Sequence, residues 1–250
     1  MTQKKVNGLF TLGVPPDRYH LPHPRLGLPV ILLVRRVLLR AFELLRDEKF
    51  NLAAASEDQV TAALRSTIEN NLRQSGSIVG FSRRTYETVV RQGQVANYDG
   101  SRLTKAPDLC FKLRDGEGDP RPVLSEYDAL FIECKPVDTT HAAGGRYCDD
   151  GLCRFVQGDY AWAMEEAMML AYARDGRTIA KHLLPAMGEL ERMKSLQTEQ
   201  IPVPLTVAGA SSEKFAETVH LSRHRRGFPW RDGKGQATAI DVFHVWCFCG

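Results

Sequence analysis

The amino-acid sequence predicts a mixed α/β domain built on one central sheet, with helices ahead of it and further strands behind. Three observations predict this. Two stretches between residues 28 and 76 repeat their apolar residues at helical spacing, short apolar runs of strand character follow up to residue 137, and strand-like runs return after residue 200. The 250 residues suffice to bury one sizeable core, and 43% hydrophobic with 25% charged residues excludes a disordered or fibrous class. A net charge of +3 permits a polyanionic partner without demanding one, so that argument rests on local patches.

The opening as far as Leu26 is broken by prolines and reads as a surface arm, without the continuous apolar core of a secretory signal. The next segment, LGLPVILLVRRVLLRAFELL, is the most apolar in the chain. Arg35, Arg36 and Arg40 interrupt it well before the roughly 20 residues a spanning helix needs, so it reads as an amphipathic helix over residues 29–48 and no membrane partner is expected. Ser56 is placed to cap a second helix. Gln59 stands where a capping box wants it, Val60, Ala63, Leu64, Ile68 and Leu72 form the apolar stripe, and Gly76 ends it.

From residue 77 the pattern changes to β-type runs: SIVGF, ETVVRQGQVANY, DLCFKL and ALFIECK. The last two flank RDGEGDPRP, whose Asp115-Gly116 and Asp119-Pro120 are turn chemistry, so they read as adjacent antiparallel strands. After a loop containing glycine and cysteine, DYAWAMEEAMMLAYARDG puts Tyr160, Met164, Ala167, Met168 and Ala171 on one helical face and reads as a helix closed by Asp175-Gly176. IPVPLTVAG, ETVHLSR and TAIDVFHVWCFC read as strands, with the basic turn HRRGFPWRDGKG before the last. Residues 1–55 thus form an N-terminal arm and helix, 56–180 a core, and 181–250 a helix and strands completing the same domain.

Six scattered cysteines in a chain too large to need disulfides point to free thiols and a reducing, cytoplasmic compartment. Cys148 and Cys153 with His141 or His182 are a weaker zinc alternative, because Cys-x4-Cys lacks a second pair.

The chemistry is carried by YDALFIECKPVD. Glu133 and Lys135 sit at the end of the apolar run, two residues apart, and side chains so spaced on a strand share one face. Buried charges are costly unless paired or bound to a metal. Pro107 fixes the entry of the preceding strand and aims Asp108 at the same place. Two converging carboxylates repel without a cation between them, and such oxygen donors suit Mg²⁺ or Mn²⁺. A lysine beside the metal orients a water and stabilises charge developing on a phosphate. Asp128 is the rival ligand should the hairpin be shorter.

Pro107-Asp108, a connection of moderate length, and Glu133-Cys134-Lys135 at the end of an apolar strand together resemble the signature of the PD-(D/E)XK nuclease superfamily, over about residues 56–172. The resemblance implies a restriction-endonuclease-like central mixed sheet flanked by helices, with the N-terminal helical and C-terminal β parts as additions. It also implies a Mg²⁺-dependent deoxyribonuclease in which Asp108 and Glu133 hold the metal, Lys135 positions the attacking water, and cleavage leaves a 5′-phosphate. Resolvase-like members add an acidic residue near the start of the first core helix, which selects Glu57, with Glu69 as fallback. The competing reading of Glu57 is first-turn stabilisation by the helix dipole, about 0.3–1 kcal/mol. Some members carry a Gln and a Tyr on the helix after the lysine strand that contact DNA and buttress the site; Gln157 and Tyr160, joined by Arg154, match and imply both roles. Trp162 reads as packing.

The basic turn gathers Arg223, His224, Arg225, Arg226, Arg231 and Lys234 around Phe228 and Trp230. Cations interleaved with aromatics suit nucleic acid, which makes Arg225 and Arg226 candidate phosphate contacts; a solvated hairpin with an aromatic anchor is the other reading. His220, His224 and His244 have no spacing that identifies a metal triad or a nucleophile's base. A small-molecule hydrolase is disfavoured by the lack of a GxSxG elbow or HExxH helix. A nuclease without its own specificity domain must be directed or restrained, so a partner protein and a role in defence against foreign DNA are expected, with homo-oligomerisation left open. The reading from a different class is a non-catalytic binding or assembly subunit that retains the nuclease fold.

Overall fold

A computed structural model describes residues 21–114, 125–207, 217–230 and 233–249. Most of the opening arm, the turn residues Asp115-Gly116 and Asp119-Pro120, and Arg231 lie outside the described residues. The first expected helix is α1, Leu28–Asp47, which buries Ile31, Val34, Val37, Leu38, Ala41 and Phe42 along one stripe. Ser56 and Gln59 form the reciprocal capping box, Ser56 N–H donating to Gln59 Oε1 at 2.9 Å and Gln59 N–H to Ser56 Oγ at 3.2 Å. Two of the orphan donors of a helix start are thereby satisfied. From there α2, Glu57–Thr67, passes through a π-helical turn, Ile68–Leu72, into α3, Arg73–Ser75, and stops at Gly76 in the left-handed region.

Seven strands form one mixed sheet: β1 Val90–Arg91, β2 Leu109–Phe111, β3 Leu130–Val137, β4 Glu166–Ala173, β5 Thr198–Val207, β6 Glu217–His224 and β7 Ile240–Phe248. Their order is β1-β2-β3-β4-β7-β6-β5, parallel at β3-β4-β7 and antiparallel elsewhere. The DLCFKL and ALFIECK runs pair antiparallel as expected, Leu109 facing Ile132. Two β-type runs do not become strands of any length. SIVGF makes only a bridge between Ile78 and Phe81, and ETVVRQGQVANY yields the two residues of β1 and an isolated bridge from Val95 to Lys105.

The larger correction concerns residues 143–173. The glycine-containing loop is helical, a ten-residue π-helix, Ala143–Leu152, running into α4, Cys153–Val156. The stretch read as a helix closed by Asp175-Gly176 contains β4 instead, buried at every position. β4 lies between two parallel neighbours and is covered on both faces. A strand so placed shows no alternation, and a continuous apolar run fits a helical stripe equally well. After β4 come a π-helical turn, Ile179–Leu183, then α5, Leu184–Met187, and α6, Leu190–Ser195. No helix among the described residues is long and apolar enough to cross a membrane.

Two features place the site. β2 pairs with β3 only as far as Ile132, so β3 continues from Glu133 without that neighbour. Cys134 N–H turns to the β2 side, where Asp108 Oδ2 accepts it at 2.7 Å. Pro136, two residues on, has the same orientation, so its missing N–H costs no ladder bond. Behind the π-helix, Tyr147 Oη meets His244 Nδ1 at 2.9 Å, and Ser222 Oγ lies 2.8 Å from both His244 Nε2 and His224 Nε2. Burial lowers both imidazoles, His224 to about 4, so this internal chain is neutral and ties the π-helix to β6 and β7.

The basic turn does not present Arg226 or its two aromatics at the surface, as the nucleic-acid reading expects. Arg226 is buried: its Nε donates to Thr238 O at 2.7 Å and its Nη1 to Ala161 O and Trp162 O at 3.2 Å each. Phe228 and Trp230, with their rings 5.5 and 5.3 Å from its guanidinium, are buried too and have no free face for a base. Composition sees the cation and the aromatics; it does not see that they pack against one another. Arg225 is exposed and pairs with Glu199 at 2.7 Å. Arg226→Met should therefore cost at least about 1.5–3 kcal/mol in urea denaturation, because it strips charged hydrogen bonds from three backbone carbonyls. Arg225→Ala should stay within about 0.5 kcal/mol, as an exposed pair does.

Candidate active site at the open flank of strand β3

Glu133 and Lys135 point to one face of β3, as period-2 geometry requires, though inside the strand and not at its end. Lys135 Nζ lies 2.7 Å from Glu133 Oε1, 2.7 Å from Glu57 Oε1 and 3.6 Å from Asp108 Oδ2, and donates to Cys134 O at 3.0 Å. Three carboxylates from α2, the entry to β2 and β3 thus surround one ammonium. Asp108 is brought there by Pro107 and held by Cys134 N–H. Glu57 is brought there by the capped start of α2, so the residue with a helix-dipole reading also contacts the cluster.

Arginines close the arrangement. Arg154 Nη1 lies 2.9 Å from Glu133 Oε1, and Arg146 Nη2 lies 3.0 Å from Glu57 Oε2. Tyr160 is buried and its hydroxyl donates to Glu133 Oε2, so Tyr160 buttresses the carboxylate and does not offer a surface to DNA. The turn that carries it is held by Asp159, paired with Lys105 at 2.6 Å and Arg102 at 3.0 Å. Gln157, at the end of α4, is exposed and donates its backbone N–H to Cys153 O. Glu69, the fallback, is committed elsewhere: it pairs with Arg73 at 2.8 Å and accepts Val89 N–H at 2.7 Å. Asp128 is buried and lies two residues before β3, at the opposite end of the strand's apolar run from Glu133.

Sequence reasoning missed Arg146 and Gly151. Both belong to the π-helix, a rare form that concentrates at functional sites. A Cβ on Gly151 would stand 2.9 Å from Met169 Cε and 3.2 Å from Lys135 Cγ, so the glycine makes room for the lysine stem. The available signal was the pair Gly144-Gly145 followed by Gly151, which reads as loop by propensity.

Burial sets the electrostatics. Glu133 is pushed up to about 7, first by burial and then by the charge of Asp108, against the pull of Lys135 and Arg154. Burial also raises Asp108, although Lys135 and Cys134 N–H oppose it. For Lys135, burial acts to lower the value, but the charges of Glu133 and Asp108 and its hydrogen bonds outweigh it, and the ammonium is held charged. Asp108 and Glu133 are hard oxygen donors of the kind Mg²⁺ and Mn²⁺ take. Glu133 Oε1, though close to two cations, receives no well-directed hydrogen bond. The donor chemistry therefore fits such an ion. Lys135 Nζ stands at the focus, however, and among the described residues no three His, Cys, Asp or Glu side chains are grouped to hold a metal as they stand. That holds for the pair Cys148 and Cys153 as well, and all six cysteines are free thiols.

The pH dependence follows from the sign of the Glu133 shift. Its folded value, about 7, exceeds the ordinary 4.5, so the folded chain binds this proton more tightly than the unfolded chain. The contribution is complete below about pH 4.5 and is lost as pH rises to 7. Unfolding free energies without divalent metal should show the parent losing stability across that window relative to Glu133→Gln; a constant difference would mean that Glu133 is ionised throughout. Comparison of the chain with family models, with curated proteins and with solved structures finds no match in any of the three.

Proposed function

We propose that the chain is a metal-dependent DNA endonuclease of the PD-(D/E)XK type. The observation that carries this reading is the convergence of Glu57, Asp108 and Glu133 on Lys135 where β2 leaves β3 open. Asp108 and Glu133 would hold Mg²⁺ or Mn²⁺, which supplies positive charge to the scissile phosphate and acidifies a bound water. Lys135, charged and anchored by Glu57, orients the attacking water and stabilises charge developing on the phosphate. Tyr160 fixes Glu133, and Arg154, half-exposed beside it, is the group best placed to meet a phosphate oxygen. Hydrolysis then leaves a 5′-phosphate. The succession of α2, β1 to β3, the helical segment 143–156 and β4 supports a restriction-endonuclease-like core to which α1 and β5 to β7 are additions. A cytoplasmic role in defence against foreign DNA, with a partner protein supplying recognition, belongs to the same proposal, as does any self-association.

One observation favours a second reading, a non-catalytic binding or assembly subunit. Lys135, Arg146 and Arg154 already balance the three carboxylates, and Glu133 and Lys135 are almost completely buried. Buried ion clusters of this kind can serve specificity of fold alone.

Plasmid, linear duplex and single-stranded DNA incubated with the purified protein and Mg²⁺, Mn²⁺ or EDTA separate the two. Under the nuclease reading Lys135→Ala lowers cleavage by about 10²–10³ or more while Mn²⁺ still binds by calorimetry. Asp108→Ala abolishes both, because the cation loses a carboxylate it cannot replace. A parent that neither binds Mn²⁺ nor cuts any of the three substrates would favour the assembly subunit.

A further inference from the structure

A crevice of about 330 Å³ opens where α1, residues 178–180 and the ends of β6 and β7 meet. Phe248, the last residue of β7, stands at its rim and is 53% exposed. Ligands of open α/β sheets bind in crevices outside the carboxyl ends of parallel strands, and β4 and β7 form such a pair here. The volume lies at the small end of ligand pockets, about 300–1,000 Å³.

The lining specifies the chemistry. Among the described residues the other arginines of α1 are engaged: Arg36 with Glu217 at 3.3 Å, Arg40 with Glu43 at 2.8 Å, and Arg46 with Phe248 O at 3.4 Å. Arg35 lines the crevice and its guanidinium has no ion pair or hydrogen bond among the described residues. The imidazole of His220 lines the same crevice and has no hydrogen bond among the described residues; partial burial lowers its pKa and favours the neutral form, with one donor and one acceptor nitrogen. The rest of the lining sets the apolar and aromatic Leu39, Val245, Trp246 and Phe248 beside the hydroxyls of Thr178 and Thr218. A fixed cation and a neutral imidazole above an aromatic wall match an anionic group attached to a flat apolar body.

We propose that this crevice binds a small organic anion, a single ring bearing a carboxylate or phosphate, with Arg35 on the anionic group and Trp246 and Phe248 against the ring. The site is separate from the Lys135 cluster. Strand register places Glu133 beside Met169, Met169 beside His244 and His244 beside His220, three strand spacings in all, or roughly 14 Å.

Trp246 makes the test direct. The only other tryptophans, Trp162 and Trp230, pack in a separate cluster with Phe228, so a fluorescence change reports the crevice. The full chain is titrated with phenyl phosphate and with benzoate, which distinguish the two anion types, and with phenol and inorganic phosphate as half-ligands. Saturable quenching by phenyl phosphate or benzoate is expected, with both half-ligands at least about tenfold weaker. Arg35→Gln should weaken binding at least about tenfold, as loss of a charge-assisted hydrogen bond does, and Arg35→Lys less. Trp246→Phe should remove the optical signal while calorimetry still detects binding. The proposal is overturned if neither anion quenches saturably, if phenol binds as tightly as phenyl phosphate, or if both Arg35 variants, with thermal midpoints like the parent's, bind unchanged.

Discussion

The ammonium of Lys135 is the charge on which the middle of this fold depends. Three carboxylates from three elements meet around it in a place almost closed to water. Even beside it, burial and the charge of Asp108 raise Glu133 to about 7, and without it the two carboxylates would repel more strongly still at low effective dielectric. With it, the start of α2, the entry to β2 and the body of β3 are drawn to one point. Glu57 passes the constraint on to Arg146 and the π-helix, and Glu133 passes it on to Arg154 and Tyr160.

The backbone at this point is as unusual as the charges. On its β2 side, β3 needs no strand partner beyond Ile132 because a side chain, Asp108, accepts the Cys134 N–H and a proline follows at the next position of like orientation. The same carboxylate is both a hydrogen-bond acceptor for the strand and a member of the charge cluster. That double duty keeps the flank of β3 free of a neighbouring strand and the acidic groups close to each other.

Much of this was legible in the sequence. Glu133 and Lys135 share a face because strands repeat every two residues, Pro107 marks a strand entry, and Ser56 with Gln59 marks a helix start; each signal is local and survives folding unchanged. What was illegible depends on neighbours distant in sequence. Met168, Met169 and Leu170 are good helix formers, and only the strands on either side of β4 make them β. Arg226 looks like a phosphate contact until the carbonyls of Ala161 and Trp162 and the ring of Trp230 surround it. Arg146 could not be foreseen because a glycine-containing segment gave no sign that it would wind into a helix and face α2.

The position of β7 bears on how the chain reaches this state. β7 separates β4 from β6, pairing Glu166 with Asp241 and Ala173 with Phe248, so the centre of the sheet is filled by a segment made long after its neighbour. Contacts of such large sequence separation slow folding, since the intervening loop must close before any pairing rewards it. Until then β4 presents a largely apolar strand with one open edge, the kind of surface that joins another chain as readily as its own. During synthesis the region carrying Glu133 and Lys135 therefore spends its early life as half of a sheet, and shielding of that edge, by a chaperone or by rapid completion of β6 and β7, becomes a condition for a soluble product.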